Sequence, residues 1–429
     1  MHLSQLDLVN FRNYVRLSVS FGEGTVVLVG PNGAGKSNLL ESVYMLATTK
    51  SSRAGSDREV VCWTAREDPI PFTRLRASIR RSDHEAHVEM LIQLSPEAPS
   101  AHAPARGQQS KRLTLNGVPT RAADLVGTVH AVMFSPEDVA LVSDSPSVRR
   151  RYLDIACSQM DRGYLRVLQQ LNRVLTQRNH LLRQLGGGGS ELSTLETWDA
   201  QLIESALRVM AVRRAVLGRM APVVERVYRD LAGGQPTLDV VYQPNVEIPE
   251  GASAADAQAL FQARLDAVRR RERDQGVTLV GPHRDDFRLV LKGLGIEGMG
   301  DDRADVGVYA SRGQQRLAVL ALKLAETETM CAAQGERPIV MLDDILSELD
   351  PARRAQVLRT VCGEGQTLIA STDLESVRDI LARPDVTVLQ VSSGSIEPVP
   401  PGALAPEGAP ETPEGSGIIA TGASTEAGR

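Results

Sequence analysis

Cysteine is scarce in this chain, and the few cysteines that occur are far apart. They are Cys62, Cys157, Cys331 and Cys362, and no two of them form a C-x-x-C pair. A disulfide framework or a structural zinc site needs cysteines at short, regular spacing. We therefore predict reduced thiols and neither kind of site.

Long apolar runs are also missing. No stretch approaches the roughly 18 consecutive apolar residues that a membrane-spanning helix needs. The first residues also lack the cationic, apolar and small-residue pattern of a signal peptide. We expect a cytoplasmic protein that has no membrane partner.

The chain has no excess of positive charge and few aromatic side chains. Its formal net charge is −5, and aromatic residues make up 3% of the sequence. Any surface that binds nucleic acid must therefore be local rather than a property of the whole molecule. Base stacking on single strands needs aromatic side chains, so we expect it to be weak.

The chain is long enough for more than one domain. Its 429 residues exceed the size at which a single hydrophobic core keeps growing. Alternating apolar residues predict strands within residues 1–30 and again near 88–94 and 113–115, where Asn116-Gly117 predicts a hairpin turn. We predict an antiparallel lobe at about residues 72–135.

From residue 147 the apolar spacing becomes helical. A stripe of leucines ends at the four glycines of 186–189, and a polar helix is predicted at about 254–275. Between them, large apolar residues recur every seven positions, although Pro222 should kink that helix. These residues are Ile203, Met210, Leu217, Val224 and Leu231, and we interpret them as core.

This pattern predicts a helical arm inserted into a discontinuous domain. We assign residues 147–277 to the arm, and 1–146 with 278–392 to an α/β head. Residues 393–429 contain mainly proline, glycine, alanine, serine and glutamate. Because such a segment buries too little apolar surface to offset the entropy of ordering, we predict that it is disordered.

A phosphate-binding loop follows the third predicted strand. Gly30-Pro31-Asn32-Gly33-Ala34-Gly35-Lys36-Ser37 matches G-x-x-x-x-G-K-[ST] between a strand and a helix. Its glycines let backbone N–H groups point at phosphate oxygens. We assign residues 30–37 and the adjacent Asn38 to ATP binding, Lys36 to the β and γ phosphates, and the Ser37 hydroxyl to Mg²⁺.

Two aspartates end a continuously apolar strand near residue 340. Such a strand is typical of a sheet buried on both faces, so it delivers Asp343 to the carboxyl edge beside the phosphate loop. We assign Asp343 to the Mg²⁺ site. Asp344 is the candidate catalytic residue that orients or deprotonates the attacking water, together with Lys36. The alternative for Asp344 is a surface acid at a strand end.

A second anion-binding helix start is predicted at Ser311-Arg312-Gly313-Gln314-Gln315-Arg316. Ser311 is a good N-cap, and Gly313 allows a ligand to approach the backbone. The γ-phosphate cradled by residues 30–37 leaves little room for this tip in the same chain. We therefore infer that Ser311, Gly313 and Gln314 bind ATP held by another copy; the alternative is an ordinary capped helix.

Together these motifs resemble the ABC-type ATPase heads of the SMC group and, within it, the RecF family. Other stretches resemble that family as well, and the resemblance extends to about residue 393. These stretches are Asn10-Phe11-Arg12-Asn13-Tyr14, Ser135-Pro136-Glu137, Gln177-Arg178-Asn179, residues 281–286 and Ser347-Glu348-Leu349-Asp350. The fold that this resemblance implies is a mixed sheet flanked by helices, with an antiparallel lobe and an inserted helical arm.

The resemblance also implies a function. It is an ATP-dependent, DNA-binding homodimer of recombinational repair and replication-fork maintenance, which acts at gapped duplex and with RecO and RecR helps to load RecA. Ser347–Asp350 would face the dimer partner, and Ser371-Thr372-Asp373 would occupy the switch position where transporter-type relatives carry histidine. Those relatives also carry glutamate at the position of Asp344, so we predict slow, DNA-stimulated ATP hydrolysis.

One segment of this acidic protein is strongly cationic. Residues 149–183 contain eight arginines and two acids. Arginines suit sequence-independent contacts with the DNA backbone. The candidates are Arg149, Arg150, Arg151, Arg269, Arg270 and Arg271. The alternative is a solvated helix face paired with acids on neighbouring helices.

Two other classes of protein remain open from the residues alone. A subunit of a membrane-transport ATPase shares the phosphate loop and the Ser311 signature, but it should lack a basic helical arm. A small-molecule P-loop kinase shares the loop but needs no such signature.

Overall fold

The computed structural model describes residues 1–94, 109–186, 192–234, 236–293, 303–363 and 365–400. The strands are β1 His2–Phe11, β2 Tyr14–Ser20, β3 Thr25–Val29, β4 Phe72–Arg80, β5 Glu85–Leu94, β6 Gln109–Leu115, β7 Val118–Thr120, β8 Ala131–Phe134, β9 Thr237–Gln243, β10 Asp286–Lys292, β11 Arg303–Asp305, β12 Ile339–Asp343, β13 Thr367–Ser371, β14 Val386–Ser392 and β15 Ser395–Pro398. The α-helices are α1 Lys36–Thr48, α2 Ala122–Leu125, α3 Ala140–Ser143, α4 Pro146–Met160, α5 Tyr164–Gly186, α6 Leu192–Ala232, α7 Ala254–Gln275, α8 Val306–Tyr309, α9 Arg312–Gln334, α10 Pro351–Val361 and α11 Arg378–Leu381.

A mostly parallel sheet positions the phosphate loop. Its strand order is β15-β14-β3-β13-β12-β8, and only β15 pairs antiparallel. Every residue of β3, β12 and β13 is buried, as continuous apolar strands between two layers require. Because neighbouring strands are parallel, the loop after β3 and the end of β12 lie at the same edge of the sheet.

The antiparallel lobe includes strands near the beginning of the chain that the sequence did not assign to it. Its strand order is β2-β1-β4-β5-β6-β7, so residues 2–20 belong to it. The predicted range of about 72–135 was therefore wrong at both ends, since β8 pairs parallel with β12 in the other sheet. Pairing such as Leu6 with Ala77 joins strands far apart in the chain, and local alternation does not reveal it.

Helices α4 to α7 build most of the predicted arm. The side chains at seven-residue spacing in α6 are all buried, which agrees with their interpretation as core. The region also contains β9, which pairs antiparallel with β10 beyond residue 277. The division into head and arm stays a proposal, in which β9 and β10 connect the two parts.

A fully buried arginine joins three helices of the arm. Arg178 on α5 donates to Asp199 on α6 at 2.8 Å, to Glu272 on α7 at 2.6 Å, and to the Thr278 hydroxyl at 2.9 Å. These bonds engage all three guanidinium nitrogens of Arg178, which is a donor only and needs acceptors when it is buried. Removing one partner of a buried pair costs about 3–5 kcal/mol, so this cluster fixes how the helices pack.

The end of the described chain differs from the prediction of disorder. Residues 395–398 form β15, which pairs with β14. Disorder from residue 393 onward was therefore wrong for this hairpin, because Ile396 packs against the lobe core and supplies apolar burial that composition understated. Residues 401–429 lie outside the described residues.

Candidate nucleotide site and dimer surface

The phosphate loop adopts backbone conformations that only glycine allows. Gly33 and Gly35 have φ of 79° and 120°. A Cβ atom at Gly35 would lie 2.6 Å from Asn13 Nδ2, and one at Gly30 would lie 2.2 Å from the Val391 carbonyl oxygen. These positions tolerate no side chain, so the glycines shape the loop as the motif predicted.

Side chains from the first hairpin hold the loop from behind. Asn13 Nδ2 donates to the Ala34 carbonyl at 2.9 Å, and the Tyr14 hydroxyl donates to the Gly35 carbonyl at 2.9 Å. Asn38 donates to Asn13 Oδ1 at 2.8 Å. Sequence reasoning missed the support from Asn13 and Tyr14, because no spacing rule connects a β-hairpin turn to a loop 20 residues later.

The Lys36 ammonium lies inside the curve of the loop. It donates to the Gly30 and Pro31 carbonyls at 2.7 and 3.1 Å and is 6% exposed. Burial lowers its pKa, while Asp344 and Asp343 oppose that shift. The cation is thus held where the motif places the β and γ phosphates.

A hydroxyl and a carboxylate meet across the sheet edge. Ser37 Oγ donates to Asp343 Oδ1 at 2.6 Å. Ser37 follows β3 and Asp343 ends β12, and β13 lies between these two strands. Burial raises the pKa of Asp343, and the bond from Ser37 lowers it. A hydroxyl and one carboxylate oxygen fit a Mg²⁺ ion, which keeps several waters and needs few protein ligands.

Asp344 has an unusual backbone and an unsatisfied oxygen. Its φ is 54°, in the left-handed region, and its N–H donates to the Ala370 carbonyl at 3.1 Å. Its Oδ1 is buried without a hydrogen-bond partner in the described part of the chain. Strained and unsatisfied groups of this kind concentrate at functional sites, and this oxygen can accept a bond from a water.

The signature residues cap α9, and Ser311, Arg312 and Gly313 at its tip are exposed while Gln314 is half-buried. Ser311 Oγ accepts from the Gln314 N–H, and Gln314 Oε1 accepts from the Ser311 N–H at 2.9 Å. A Cβ atom at Gly313 would have no heavy atom within 4 Å, so the tip is open to a ligand. An exposed helix start favours an anion.

The signature helix contacts the segment after Asp344. Arg316 pairs with Glu348 at 3.2 Å, within the 3-10 helix Ile345–Glu348. Ser347 and Asp350 beside it are exposed, and Asp350 caps α10. This ion pair therefore holds the α9 tip next to residues 347–350 within one chain.

The predicted switch residues form a local turn. Ser371 Oγ donates to the Asp373 carbonyl at 2.7 Å, and Asp373 Oδ1 accepts from the Ser376 N–H at 2.8 Å. Thr372 is half-buried. Their role at a γ-phosphate stays a prediction.

Not all of the candidate DNA-binding arginines are available to a ligand. Arg149 is 2% exposed and makes two bonds to Asp286, at 2.7 and 2.9 Å, so its prediction as a DNA contact was wrong. Arg269 pairs with Asp199 and Asp266. Arg150 is half-buried and donates to the Asp285 carbonyl.

The remaining candidates lie on two different helices. Arg151 on α4 is exposed and donates to the Ser51 carbonyl at 2.7 Å. Arg270 and Arg271 are exposed on α7. Arg151, Arg270 and Arg271 therefore stay candidates for contacts with the DNA backbone.

Among the described residues, no helix combines the length and the apolar character that crossing a membrane would require.

Comparison with known proteins identifies relatives along nearly the whole chain. The family model for the RecF/RecN/SMC N-terminal domain matches residues 2–393. The DNA replication and repair protein RecF of Herpetosiphon aurantiacus is 39% identical over 93% of this chain and 100% of its own length. The protein of the same name from Halalkalibacterium halodurans is 35% identical, over 92% of this chain and 99% of its own length.

Solved structures agree with this result. A structure of the recombination mediator protein RecF with ATP, in the RecFOR pathway, has a TM-score of 0.79 at 28% identity, covering 93% of this chain and 98% of that one. The Smc head domain of Pyrococcus yayanosii, with a TM-score of 0.51 at 13% identity and coverage of 93% and 96%, shares the fold alone. The predicted ABC-type head fold is confirmed, and the chain belongs to the RecF family of SMC-like ATPases.

Proposed function

We propose that this chain is an ATP-dependent DNA-binding protein of recombinational repair. Two copies close face to face over two ATP molecules, and slow hydrolysis reopens them. As the RecF family suggests, it acts at gapped duplex and stalled forks, and with RecO and RecR it assists RecA loading. The relatives named as DNA replication and repair proteins support this role over a transport subunit or a kinase.

The observation that carries the proposal is the meeting of Ser37 and Asp343 at the sheet edge. The 2.6 Å contact joins the phosphate loop to the acidic end of β12. Residues 30–38 bind the phosphates, and Lys36 neutralises their charge. Ser37 and Asp343 would hold Mg²⁺, which would stabilise the charge that develops on the phosphates. A related structure is a complex with ATP.

The exposed α9 tip supplies the reason for two copies. Ser311, Gly313 and Gln314 lie at a helix start whose first residues, 311 to 313, are exposed. A triphosphate held by a second copy accepts hydrogen bonds from that tip. In a symmetric dimer the α9 tip of the second copy binds the triphosphate of the first in the same way. The Arg316–Glu348 pair keeps residues 347–350 beside it, where they also face the partner.

Asp344 orients the attacking water. Its unsatisfied Oδ1 accepts a hydrogen bond from the water, and the short aspartate side chain positions that water less favourably than glutamate would. Hydrolysis is therefore slow, and a purified protein with turnover of many per second would contradict this part of the proposal.

Sizing by light scattering tests the proposal. The native protein and Lys36→Arg are measured without nucleotide, with Mg·ATP, and with Mg·ATP plus gapped or fully duplex DNA. We expect the native protein to double in mass with Mg·ATP and to bind DNA most tightly in that form. Lys36→Arg should not double in mass. A native protein that stays monomeric at saturating Mg·ATP with gapped DNA would refute the proposal.

A further inference from the structure

A cleft lies where the end of α1 meets α4 and α5. Its volume is about 430 Å³. Its polar lining includes Thr48, Lys50, Ser147, Arg150, Arg151 and Asn172. We name these six residues the junction cleft. Helix α1 begins at the phosphate loop. Its other end, at Thr48, lines this cleft.

Positive charge exceeds negative charge in this cleft. Asp154 is the one carboxylate among its lining residues in the described chain, and it already accepts from Arg213 at 2.8 Å. Among the described residues, Lys50, Arg150 and Arg151 form no ion pair, although Asp154, Asp285 and Asp286 lie close enough to act on Arg150 electrostatically. A concave cationic surface with hydroxyl and amide groups suits a phosphodiester, which offers charge and hydrogen-bond acceptors together.

Arg150 shows that the cations are crowded. Burial lowers its pKa and the neighbouring Arg213 lowers it further, while Asp286, Asp154 and Asp285 oppose that shift. Like charges in a partly desolvated cleft raise the free energy of the empty site. A bound phosphate adds a negative charge beside Arg150 and Arg213 and offsets their mutual repulsion.

A chain of contacts connects the cleft to the phosphate loop. Arg151 donates to the Ser51 carbonyl at 2.7 Å, and the Ser51 hydroxyl donates to Glu41, which is fully buried on α1. Glu41 also accepts two bonds from Arg12, at 2.8 and 2.9 Å. Asn13, the next residue, supports the Ala34 carbonyl of the loop.

We propose that the junction cleft binds the sugar-phosphate backbone of DNA, and that its occupancy reaches the nucleotide loop through Arg151, Ser51 and Glu41. A phosphate at Arg151 competes with the Ser51 carbonyl for the same guanidinium. When the Ser51 carbonyl is released, the segment around Ser51 shifts, and its hydroxyl carries that shift to Glu41. The inference rests on the proposed function, since it names the DNA contact of that ATPase.

The binding half is tested by charge removal with a matched control. The double variant Lys50→Gln/Arg151→Gln and the control Arg16→Gln/Arg359→Gln each lose two exposed cations, and neither control residue is a candidate DNA contact. Affinity for duplex DNA is measured by fluorescence anisotropy across a salt series. We expect the cleft variant to bind about tenfold or more weakly at 0.1 M salt, with a log–log salt slope smaller by about 1.8, because two phosphate contacts are lost. The control should match the native protein.

The outcomes separate the inference from the proposed function. If the native protein binds DNA and the cleft variant binds equally well with the same slope, the cleft proposal fails and the function stands. If the native protein binds no DNA with or without Mg·ATP, the function itself fails. If the double variant does not fold, the DNA affinity and salt slope of Lys50→Gln are compared with those of the native protein instead.

The coupling half is tested at Ser51. Ser51→Ala keeps the carbonyl that Arg151 contacts but removes the hydroxyl that binds Glu41. We expect its DNA affinity to stay within about twofold of native, while the stimulation of ATP hydrolysis by DNA falls toward onefold. Ser51→Thr restores the hydroxyl and should restore stimulation. Equal stimulation in native protein and Ser51→Ala would overturn the coupling.

Discussion

At the scale of single residues, Asp344 combines strain with an unmet hydrogen bond. The left-handed backbone at φ 54° disfavours most side chains but is tolerated by aspartate and asparagine. The backbone conformation therefore favours a short acid at this position, independently of the catalytic role proposed for it. Transporter-type heads carry glutamate at this position, and glutamate fits this conformation less well.

Replacing Asp344 with asparagine separates chemistry from structure. Asparagine keeps the shape and the left-handed backbone, but it cannot take a proton from water. We expect ATP hydrolysis to fall by about 100-fold or more while ATP binding persists. Phosphate release and fluorescent-nucleotide binding measure the two effects. Hydrolysis within threefold of native would remove Asp344 from the catalytic role.

Buried His130 predicts a loss of stability in acid. Burial lowers its pKa from an ordinary 6.5 to about 4, with Arg81 as the next cause. Between pH 6.5 and 4 the unfolded chain binds a proton that the folded chain does not, so stability falls as pH falls through this window. The loss approaches about 3 kcal/mol at the acid end.

The variant His130→Leu tests this dependence. Urea unfolding at pH 7 and pH 4.5 should show a smaller difference between the two pH values than in native protein. Part of the difference should persist, because burial also lowers the pKa of His283 to about 4. An unchanged difference would show that His130 is not responsible.

At the scale of elements, the start of α9 has two separable properties. Ser311 caps the helix through the Gln314 N–H, which stabilises it by about 1 kcal/mol. The same exposed tip is proposed to bind a triphosphate. Aspartate is an equally good cap, but its negative charge repels a phosphate.

Ser311→Asp should therefore fold normally and fail to dimerise with ATP. Ser253→Asn is the control at another cap, because Ser253 also caps its helix and asparagine keeps that cap without placing a second carboxylate beside Asp256. We expect both variants to melt within about 2 °C of native, while only Ser311→Asp stays monomeric by light scattering with Mg·ATP. Dimerisation of Ser311→Asp at native ATP concentrations would count against a shared pocket.

Elements with a local signal were predicted well, whereas partners across the chain were not. The phosphate loop, the acidic end of β12, the cap at Ser311 and helix α7 each follow from residues a few positions apart. Arg149 was assigned to DNA because its neighbours are basic. Its partner Asp286 lies 137 residues later, and charge spacing contains no information about that pair.

The same limit applies to the sheets and to the hydrogen bonds behind the loop. Alternation located β1 and β2 but not their pairing with β4, which requires knowing the register of strands far apart. Residues Asn13 and Tyr14 were noticed only through family resemblance. Their contacts with the loop depend on how the lobe packs on the parallel sheet.

At the scale of the whole molecule, a shared pocket predicts complementation between two defective variants. Lys36→Arg lacks a working phosphate loop, and Ser311→Asp lacks a working tip. A mixed dimer has one pocket with both defects and one pocket with none. Because neither variant should dimerise with itself, every dimer in an equal mixture is mixed and one pocket in two is intact. Hydrolysis by the mixture should therefore rise to at most about half of the native rate.

Phosphate release from each variant alone and from the mixture measures this effect. Each variant alone should stay near the background rate. A mixture no more active than the sum of its parts would indicate that each pocket is complete within one chain.

The central strand β3 lies between β14 and β13, which come from the other end of the chain. During translation, β3 is synthesised more than 330 residues before these two neighbours exist. The apolar strand therefore cannot form its native pairs while the arm helices form from local contacts. A ribosome stalled before residue 367 holds a polypeptide with a complete phosphate-loop sequence and no nucleotide pocket.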